Sequence, residues 1–172
     1  MTLEPPGRPW FEPLVHALGR PAYHFAMAIT RDSALAEDIV QEAFVRLWQL
    51  DRTPRELAAF RAWLYRTIRN LARDEQRRQR VRALLRFAPP ASPDPTLEAE
   101  RRMGDPELAS ALQTLSSGER QALYLRYSED LDFGEIARIL GNRESTARVF
   151  VHRALMKLRR RMIPLASLEA DA

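Results

Sequence analysis

Apolar side chains recur at intervals of three and four residues along most of the chain, and the alternation typical of a β-strand is absent. In the first half, this pattern predicts helices over 22–30, 33–50 and 60–85. Pro13 and Pro21 are expected to limit the short helices that open the chain, because a proline inside a helix removes a backbone hydrogen bond.

The second half of the chain shows the same helical spacing in four shorter segments. They are predicted at 107–115, 117–127, 133–140 and 143–162. Polar residues stand where several helices should begin, and the candidate caps are Asp32 or Ser33, Thr53, Ser116 and Asp132. Glu56, Glu119 and Glu135 follow three residues after the last three of these caps and complete capping boxes.

A proline-rich segment divides the chain. Four of the seven residues from Pro89 to Pro95 are proline, and a polar stretch continues to Pro106. Such a run cannot continue a helix and is typical of a semi-rigid linker. We therefore expect an all-α protein with two small helical domains, at 8–88 and 107–165, joined by a linker at 89–106.

The composition excludes several classes of protein. The 172 residues include no cysteine, which rules out disulfides, a thiolate nucleophile and cysteine-based zinc sites. The start of the chain does not resemble a signal peptide, and no stretch approaches the ~20 apolar residues of a membrane span. The expected location is the cytoplasm, without membrane insertion.

Arginine dominates the basic residues, since Lys157 is the one lysine among 27 and the formal net charge is +4. Arginine keeps its charge and binds phosphate with a planar fork, which suits nucleic-acid binding. A GC-rich coding sequence would produce the same bias, so composition alone leaves both interpretations open.

The predicted helix over 60–85 has two different sides. Its apolar side, expected to face the core, comprises Phe60, Leu64, Ile68 and Leu71. Its opposite side, which we call the arginine stripe, carries Trp63, Arg66, Asn70, Arg73 and Arg77. Guanidinium groups bind phosphates, an aromatic ring can stack on an unstacked base, and an amide can read a base edge. The combination favours a nucleic-acid-binding face over an ordinary solvated one.

The preceding helix has an opposite character. Away from its apolar side it presents a set that we call the acidic face, namely Asp38, Gln41, Glu42, Val45 and Gln49. One interpretation is an ordinary solvated helix surface, which this helix alone favours. The other is a docking surface for a protein partner, with Val45 at its apolar centre.

Residues 133–141 and the helix that follows have the spacing of a helix-turn-helix. Ile136, Ala137 and Leu140 are expected to pack inward, and Gly141 permits the sharp turn. The second helix presents a set that we call the recognition set, namely Thr146, Arg148, Val149, His152 and Arg153. Its basic tail adds Lys157, Arg159, Arg160 and Arg161. Such a helix fits the major groove, with its tail near the phosphates; a plain three-helix bundle is the alternative.

Catalytic and cofactor motifs are missing from the sequence. It contains no H-E-x-x-H, no phosphate-binding G-x-x-x-x-G-K-[ST] and no G-x-S-x-G. His16, His24 and His152 are isolated from one another in the sequence. We therefore expect no enzyme activity, no catalytic residues, no cofactor and no bound metal.

Three blocks of sequence resemble the extracytoplasmic-function class of RNA polymerase sigma factors, within the sigma-70 family. Residues 36–48 (AEDIVQEAFVRLW) and 60–74 (FRAWLYRTIRNLARD) resemble conserved region 2 of that class. Residues 115–158 resemble region 4. The matching positions in this last block include Ile136, Ala137, Thr146, Arg148, His152, Arg153 and Ala154.

The resemblance implies a transcription initiation factor in which the two domains have separate tasks. The first would dock through the acidic face on the β′ clamp helices of core RNA polymerase, and it would recognise and open the −10 element of promoter DNA. The loop over 49–59 would hold a flipped base, with Trp63 and Asn70 beside the melted strand. The second would bind the β flap and read the −35 element. An anti-sigma factor, which commonly covers these surfaces in the family, is a further expected partner.

One stretch departs from the family pattern. Where the family often reads Gly-Thr-Val-Lys-Ser-Arg, this chain reads Ser-Thr-Ala-Arg-Val-Phe over 145–150. Val149 replaces a serine and Phe150 an arginine, which removes donors where DNA contacts are expected. Val149 could instead contact a thymine methyl group.

Two other functions fit part of the sequence. A stand-alone helix-turn-helix regulator explains the second domain but leaves the acidic face and the arginine stripe unexplained. A helical adaptor that binds only proteins would show no salt-sensitive affinity for DNA.

Overall fold

The computed structural model describes residues 8–50, 56–85 and 106–162, and all regular structure in these ranges is helical. The helices are α1 Phe11–Thr30, α2 Ser33–Trp48, α3 Leu57–Leu85, α4 Pro106–Gln113, α5 Ser117–Tyr127, α6 Phe133–Leu140 and α7 Glu144–Met162. We call α1–α3 the first bundle and α4–α7 the second bundle. The all-α prediction is confirmed. The Thr53 cap and the proline-rich segment lie outside the described residues, so the domain boundaries stay predictions.

The predicted break at the opening prolines is wrong, because α1 runs unbroken through Pro13 and Pro21. Pro13 lies in the first turn, where a backbone N–H has no partner within the helix in any case. Pro21 removes the donor that would reach the Ala17 carbonyl, at a cost of about 3 kcal/mol. Burial of Leu18 and Phe25 on either side offsets that cost and keeps the helix continuous.

The predicted caps at three helix starts are confirmed. The Asp32 side chain accepts a hydrogen bond from the Leu35 N–H at 3.0 Å, which decides between Asp32 and Ser33. Ser116 and Asp132 each form a complete capping box with the glutamate three residues on.

The core of the first bundle lies where α1, α2 and α3 meet. The predicted apolar side of α3 faces inward, since Leu64 and Ile68 are fully buried and Phe60 is 8% exposed. Phe25 of α1 is also fully buried, and its ring lies 4.9 Å from that of Tyr65, centroid to centroid. Aromatic packing therefore ties α1 to α3.

The two bundles pack directly against each other through α1. The Phe25 ring lies 5.9 Å from that of Tyr124 in α5, and the Tyr124 hydroxyl donates a 2.9 Å hydrogen bond to the Pro21 carbonyl. The Arg31 guanidinium donates to the Gln113 carbonyl at 3.0 Å. Phe25 thus contacts both bundles at once.

An arginine from the second bundle caps the C-terminal end of α1 with a hydrogen bond. The last carbonyls of a helix lack donors of their own and carry partial negative charge. The Arg120 Nε donates to the Ala28 carbonyl at 2.7 Å, while the Gln76 amide of α3 donates to the Ile29 carbonyl at 3.3 Å. Burial of Arg120, followed by the charge of Arg31, lowers the pKa of the Arg120 guanidinium to about 10.

A buried ion pair joins α5 to α7 inside the second bundle. Glu119 is 4% exposed, and the Lys157 ammonium lies 2.7 and 3.0 Å from its two carboxylate oxygens. The Ser116 backbone N–H also donates to this carboxylate, at 2.8 Å. Burial alone would raise the pKa of Glu119, but the bonds from Lys157 and Ser116 outweigh it and hold the pKa below its ordinary value.

Glu119→Gln should lower the free energy of unfolding at pH 7 by about 1–2 kcal/mol, because it leaves the ammonium without its counter-charge. The loss stays below that of a fully buried pair, since the Lys157 side chain is 42% exposed. A carboxylate whose pKa is lowered by folding stabilises the folded state above its ordinary pKa, and this contribution is lost as the pH falls. Urea unfolding below pH 4.5 should therefore be less pH-dependent in the variant than in the wild type.

The matched control is Glu135→Gln, in the capping box of α6, where the carboxylate accepts from the Asp132 N–H at 3.0 Å. Glutamine preserves a capping box, so this variant should change stability far less. Equal losses in the two variants would contradict a special role for the Lys157 pair.

Candidate polymerase and nucleic-acid interfaces

The acidic face lies on the open side of α2. Asp38, Gln41 and Glu42 are exposed, and Val45 is 49% exposed among them. The opposite side of α2 is buried against α1 and α3. Within the face, the Glu42 carboxylate accepts from the Arg46 Nε at 2.8 Å. The result is a small apolar spot surrounded by carboxylates and amides.

The arginine stripe lies on the open side of α3, with one exception. Arg66, Asn70, Arg73 and Arg77 are exposed, as the spacing predicts. Trp63 is instead half-buried, because its indole packs against the hydrophobic core. The tryptophan therefore borders the stripe as a fixed platform.

A third side of α3, which the sequence analysis missed, faces the second bundle. The Arg61 Nη1 donates to the Glu129 carbonyl at 3.4 Å and lies 3.9 Å from its carboxylate. Burial and then the Glu129 carboxylate raise the pKa of Tyr65, one turn further along. The spacing of four residues from Arg61 to Tyr65 to Arg69 is the signal that would have indicated this side.

Arg69 ends this third side beside the turn of the helix-turn-helix. A Cβ placed on Gly141 would lie 3.5 Å from the Arg69 Nη1. Burial, followed by repulsion from Arg73 and Arg66, lowers the pKa of Arg69. Arg69 is therefore part of the contact between bundles, unlike its exposed neighbours in the stripe.

The helix-turn-helix forms as predicted. Ile136 is fully buried, Ala137 and Leu140 are 6% and 3% exposed, and these residues pack α6 against α5 and α7. Gly141 has φ of 59°, the left-handed conformation that ends α6 without strain on a side chain. The Gly141 N–H donates to the Ala137 carbonyl.

The recognition set lies on the exposed side of α7. Arg148, His152 and Arg153 are exposed, Val149 is 42% exposed, and Thr146 is half-buried. In the tail, the three arginines at 159–161 are exposed. Lys157 was expected among them near DNA phosphates, but its ammonium binds the buried Glu119 carboxylate instead.

Phe150 does not stand with the recognition set. Its ring is half-buried and packs on the first turn of α5, where a Cβ on Gly118 would come within 2.9 Å of it. The Phe150 ring is turned toward α5 and serves packing, and the expectation that a DNA-contacting donor is missing at this position stays a prediction. Glycine at 118 leaves the room that this ring occupies.

An apolar groove lies where the two bundles meet, and the sequence analysis missed it. Its volume is about 810 Å³, and its apolar lining comes from Met27, Leu108, Leu112, Leu123, Tyr127 and Leu158. Arg31 and Arg120 line it as well and add positive charge. The groove needs elements from both bundles, so local sequence patterns could not indicate it.

Metal sites and membrane-spanning helices were sought in the described part of the chain. No group of three or more histidine, aspartate or glutamate side chains is arranged to hold a metal ion in residues 8–50, 56–85 and 106–162. None of the helices in that same part of the chain is long and apolar enough to cross a membrane.

These features define a two-bundle helical protein with a helix-turn-helix and two exposed basic faces. Known proteins then specify the family. The model for Sigma-70 region 2 matches residues 14–82, and the model for Sigma-70, region 4 matches residues 106–158. This chain belongs to the sigma-70 family of RNA polymerase sigma factors, in the extracytoplasmic-function (ECF) class.

Relatives cover both bundles. The chain is 32% identical over 144 residues to the ECF RNA polymerase sigma factor SigL of Mycobacterium tuberculosis, which covers 80% of each chain. It is 37% identical over 147 residues to the probable RNA polymerase sigma factor RfaY of Xanthomonas campestris pv. campestris. That match covers 80% of this chain but only 36% of the length of RfaY.

Solved structures share the fold. The sigma factor RpoE of Bartonella quintana, solved in complex with the anti-sigma factor NepR, superposes with a TM-score of 0.68 at 20% identity, over 88% of this chain and 96% of RpoE. CnrH, solved in complex with the cytosolic domain of CnrY, superposes with a TM-score of 0.59 at 25% identity, over 96% of this chain and 92% of CnrH.

Phe150→Ala should lower the free energy of unfolding by about 2–3 kcal/mol, since it removes a ring that packs between α7 and α5. Val149→Ala, at the adjacent exposed position, should change it by no more than about 0.5 kcal/mol. Urea unfolding of both variants checks the contrast. Similar, small effects at the two positions would mean that Phe150 is not a packing residue.

Proposed function

We propose that this chain binds core RNA polymerase through α2, opens the −10 element of the promoter with α3 and reads the −35 element with α7. The observation that carries the proposal is that the acidic face, the arginine stripe and the recognition set are three separate surfaces, all accessible in one chain. A stand-alone DNA-binding regulator has no use for the first of them.

The acidic face suits docking on the β′ clamp helices. Val45 provides an exposed apolar centre, and Asp38, Gln41 and Glu42 surround it with acceptors for a basic partner. Such charge complementarity steers association and fixes its register. Both side chains of the Glu42–Arg46 ion pair are exposed to solvent. Exchanging this pair for an interaction with a partner therefore costs little free energy.

The arginine stripe suits the melted strand of the −10 element. Arg66, Arg73 and Arg77 can neutralise successive phosphates, while Asn70 lies between them with an amide that can read a base edge. Trp63 is held by the core, so its free edge can support an unstacked base without first being ordered. A flipped base would then lie near residues 49–59, of which 51–55 are outside the described residues.

The second bundle suits duplex DNA. The recognition set lies on the first turns of α7, where side chains reach base edges, and the exposed arginines at 159–161 lie where they can bind phosphates. In this proposal the same bundle contacts the β flap, and the chain works in the cytoplasm with no cofactor or catalytic step of its own.

We also propose that an anti-sigma factor restrains this chain. Two solved relatives were captured with a protein partner, and the partner of one of them, RpoE, is named as an anti-sigma factor. The apolar groove between the bundles, with Arg31 and Arg120 among its lining residues, fits an amphipathic helix with acidic residues along its edge.

Asp38→Ala/Glu42→Ala should weaken binding to purified core polymerase at least about tenfold, because it removes two charges that steer and fix docking. Fluorescence titration of labelled chain with core enzyme measures the dissociation constant. Glu37→Ala, which removes one exposed carboxylate outside the face on the same helix, is the control and should change it less than about twofold.

Circular dichroism establishes that both variants remain folded. If the wild type is folded and binds no core polymerase, the sigma-factor mechanism fails and the stand-alone regulator becomes the better explanation. If it binds but the double variant binds equally well, docking uses another surface.

Tyr127→Glu should raise transcription from a cognate promoter several-fold in the native host, since it places a carboxylate in the groove that an acidic partner would occupy. Tyr127 is 63% exposed, so the variant should fold. Holoenzyme assembled from the purified variant should transcribe the promoter as well as the wild type does. His16→Glu, exposed on α1 outside the groove lining, is the control. Unchanged transcription in the host would show that the groove is not the restraining site.

A further inference from the structure

One arginine of the recognition set is held by contacts from both helices of the helix-turn-helix. The Arg148 guanidinium carbon lies 4.4 Å from the centroid of the Phe133 ring, at the start of α6. Its Nη2 donates to the Glu144 carboxylate at 2.7 Å, at the start of α7. Within residues 8–50, 56–85 and 106–162, the other exposed arginines of α7 have no such pair of supports.

Phe133 is itself fixed in place. It is half-buried and packs against the core, and the Arg126 guanidinium carbon lies 5.2 Å from the same ring centroid. Arg126 is anchored in turn by a 2.9 Å bond to the Leu131 carbonyl. The ring is therefore a rigid platform, and guanidinium groups favour such aromatic faces.

Glu144 is placed against the first turn of α6. Its second carboxylate oxygen would lie 3.8 Å from a Cβ on Gly134, the second residue of that helix. The positive end of the helix favours a carboxylate there. Glu144 thus bridges the start of α6 and the guanidinium of Arg148.

These contacts leave the guanidinium accessible. The Arg148 side chain remains 60% exposed although it is stacked and paired. A long arginine side chain loses much rotamer freedom on binding, and a side chain ordered beforehand loses less. Since Nη2 bonds to Glu144, the other N–H groups of the guanidinium remain available for a ligand.

We propose that Phe133 and Glu144 are positioning residues that direct Arg148 to a guanine in the major groove. The proposal rests on the proposed reading of the −35 element by α7. An arginine near DNA can bind either a phosphate or the O6 and N7 of guanine. A carboxylate fixed beside the guanidinium repels phosphates, whereas it does not oppose a two-bonded contact with a neutral base.

The test uses holoenzyme assembled from the full chain and core polymerase, with a pool of duplex DNA that carries a randomised stretch upstream of a fixed −10 region. Sequencing of bound and unbound DNA gives the base preference at each position. The wild type should prefer guanine at one position, and Arg148→Ala should abolish that preference. Phe133→Leu and Glu144→Gln should each reduce it roughly threefold to tenfold, since each removes one weak support.

Two further variants separate positioning from general effects. Phe133→Tyr keeps an aromatic platform and should retain the guanine preference, which also guards against misfolding of the leucine variant. Arg159→Ala, at a position proposed to face a phosphate, should weaken DNA binding evenly across sequences. It should also reduce by about one the slope of the logarithm of the binding constant against the logarithm of the salt concentration. Phe133→Leu and Glu144→Gln should leave that slope unchanged.

The outcomes are distinct. If Arg148→Ala abolishes the guanine preference while Phe133→Leu and Glu144→Gln retain it in full, the positioning role is overturned and the reading by α7 stands. If Glu144→Gln only strengthens binding evenly, its carboxylate repels phosphates without directing Arg148, and the role is likewise overturned. If the wild type shows no base preference, the proposed −35 reading fails and this inference fails with it.

Discussion

The C-terminal half of α1 is the contact on which both bundles depend. Phe25 packs on Tyr65 in its own bundle and on Tyr124 in the other. The last carbonyls of the helix receive donors from both sides, with Gln76 on Ile29 and Arg120 on Ala28. A helix end buried without such donors would be costly, so the capping Arg120 of the second bundle holds the two bundles in one arrangement, while Gln76 ties α3 to the same helix end.

That arrangement decides which surfaces stay open. Because α3 uses one side for its own core and another for the second bundle, only a third side remains for the arginine stripe. The acidic face of α2 and the recognition set of α7 lie away from the contact and are also exposed. The packing therefore keeps charged surfaces of opposite sign apart, which the three proposed functional surfaces on one small chain require.

Sequence patterns predicted the structural features that depend only on neighbouring residues. The caps at Asp32 and Ser116 and the turn at Gly141 were predictable because each depends on residues within one turn of helix. The continuity of α1 through Pro21 and the pairing of Lys157 with the buried Glu119 were not, since both depend on contacts between distant segments. The same limit applies to the candidate site: spacing predicted the exposed arginines, but neither the support of Arg148 nor the groove between the bundles.

The distance between the two promoter elements limits what the chain can bind while its two bundles are packed together. The −10 and −35 elements are about 25 base pairs apart, or about 85 Å at about 3.4 Å per base pair. A compact chain of 172 residues has a radius of gyration of about 16 Å, so the two bundles cannot reach both elements while they remain in contact. If both bundles read one promoter as proposed, that reading competes with the hydrogen bonds from Arg120 and Tyr124 to α1, and a partner that stabilises those contacts would inhibit without covering any proposed DNA-binding residue.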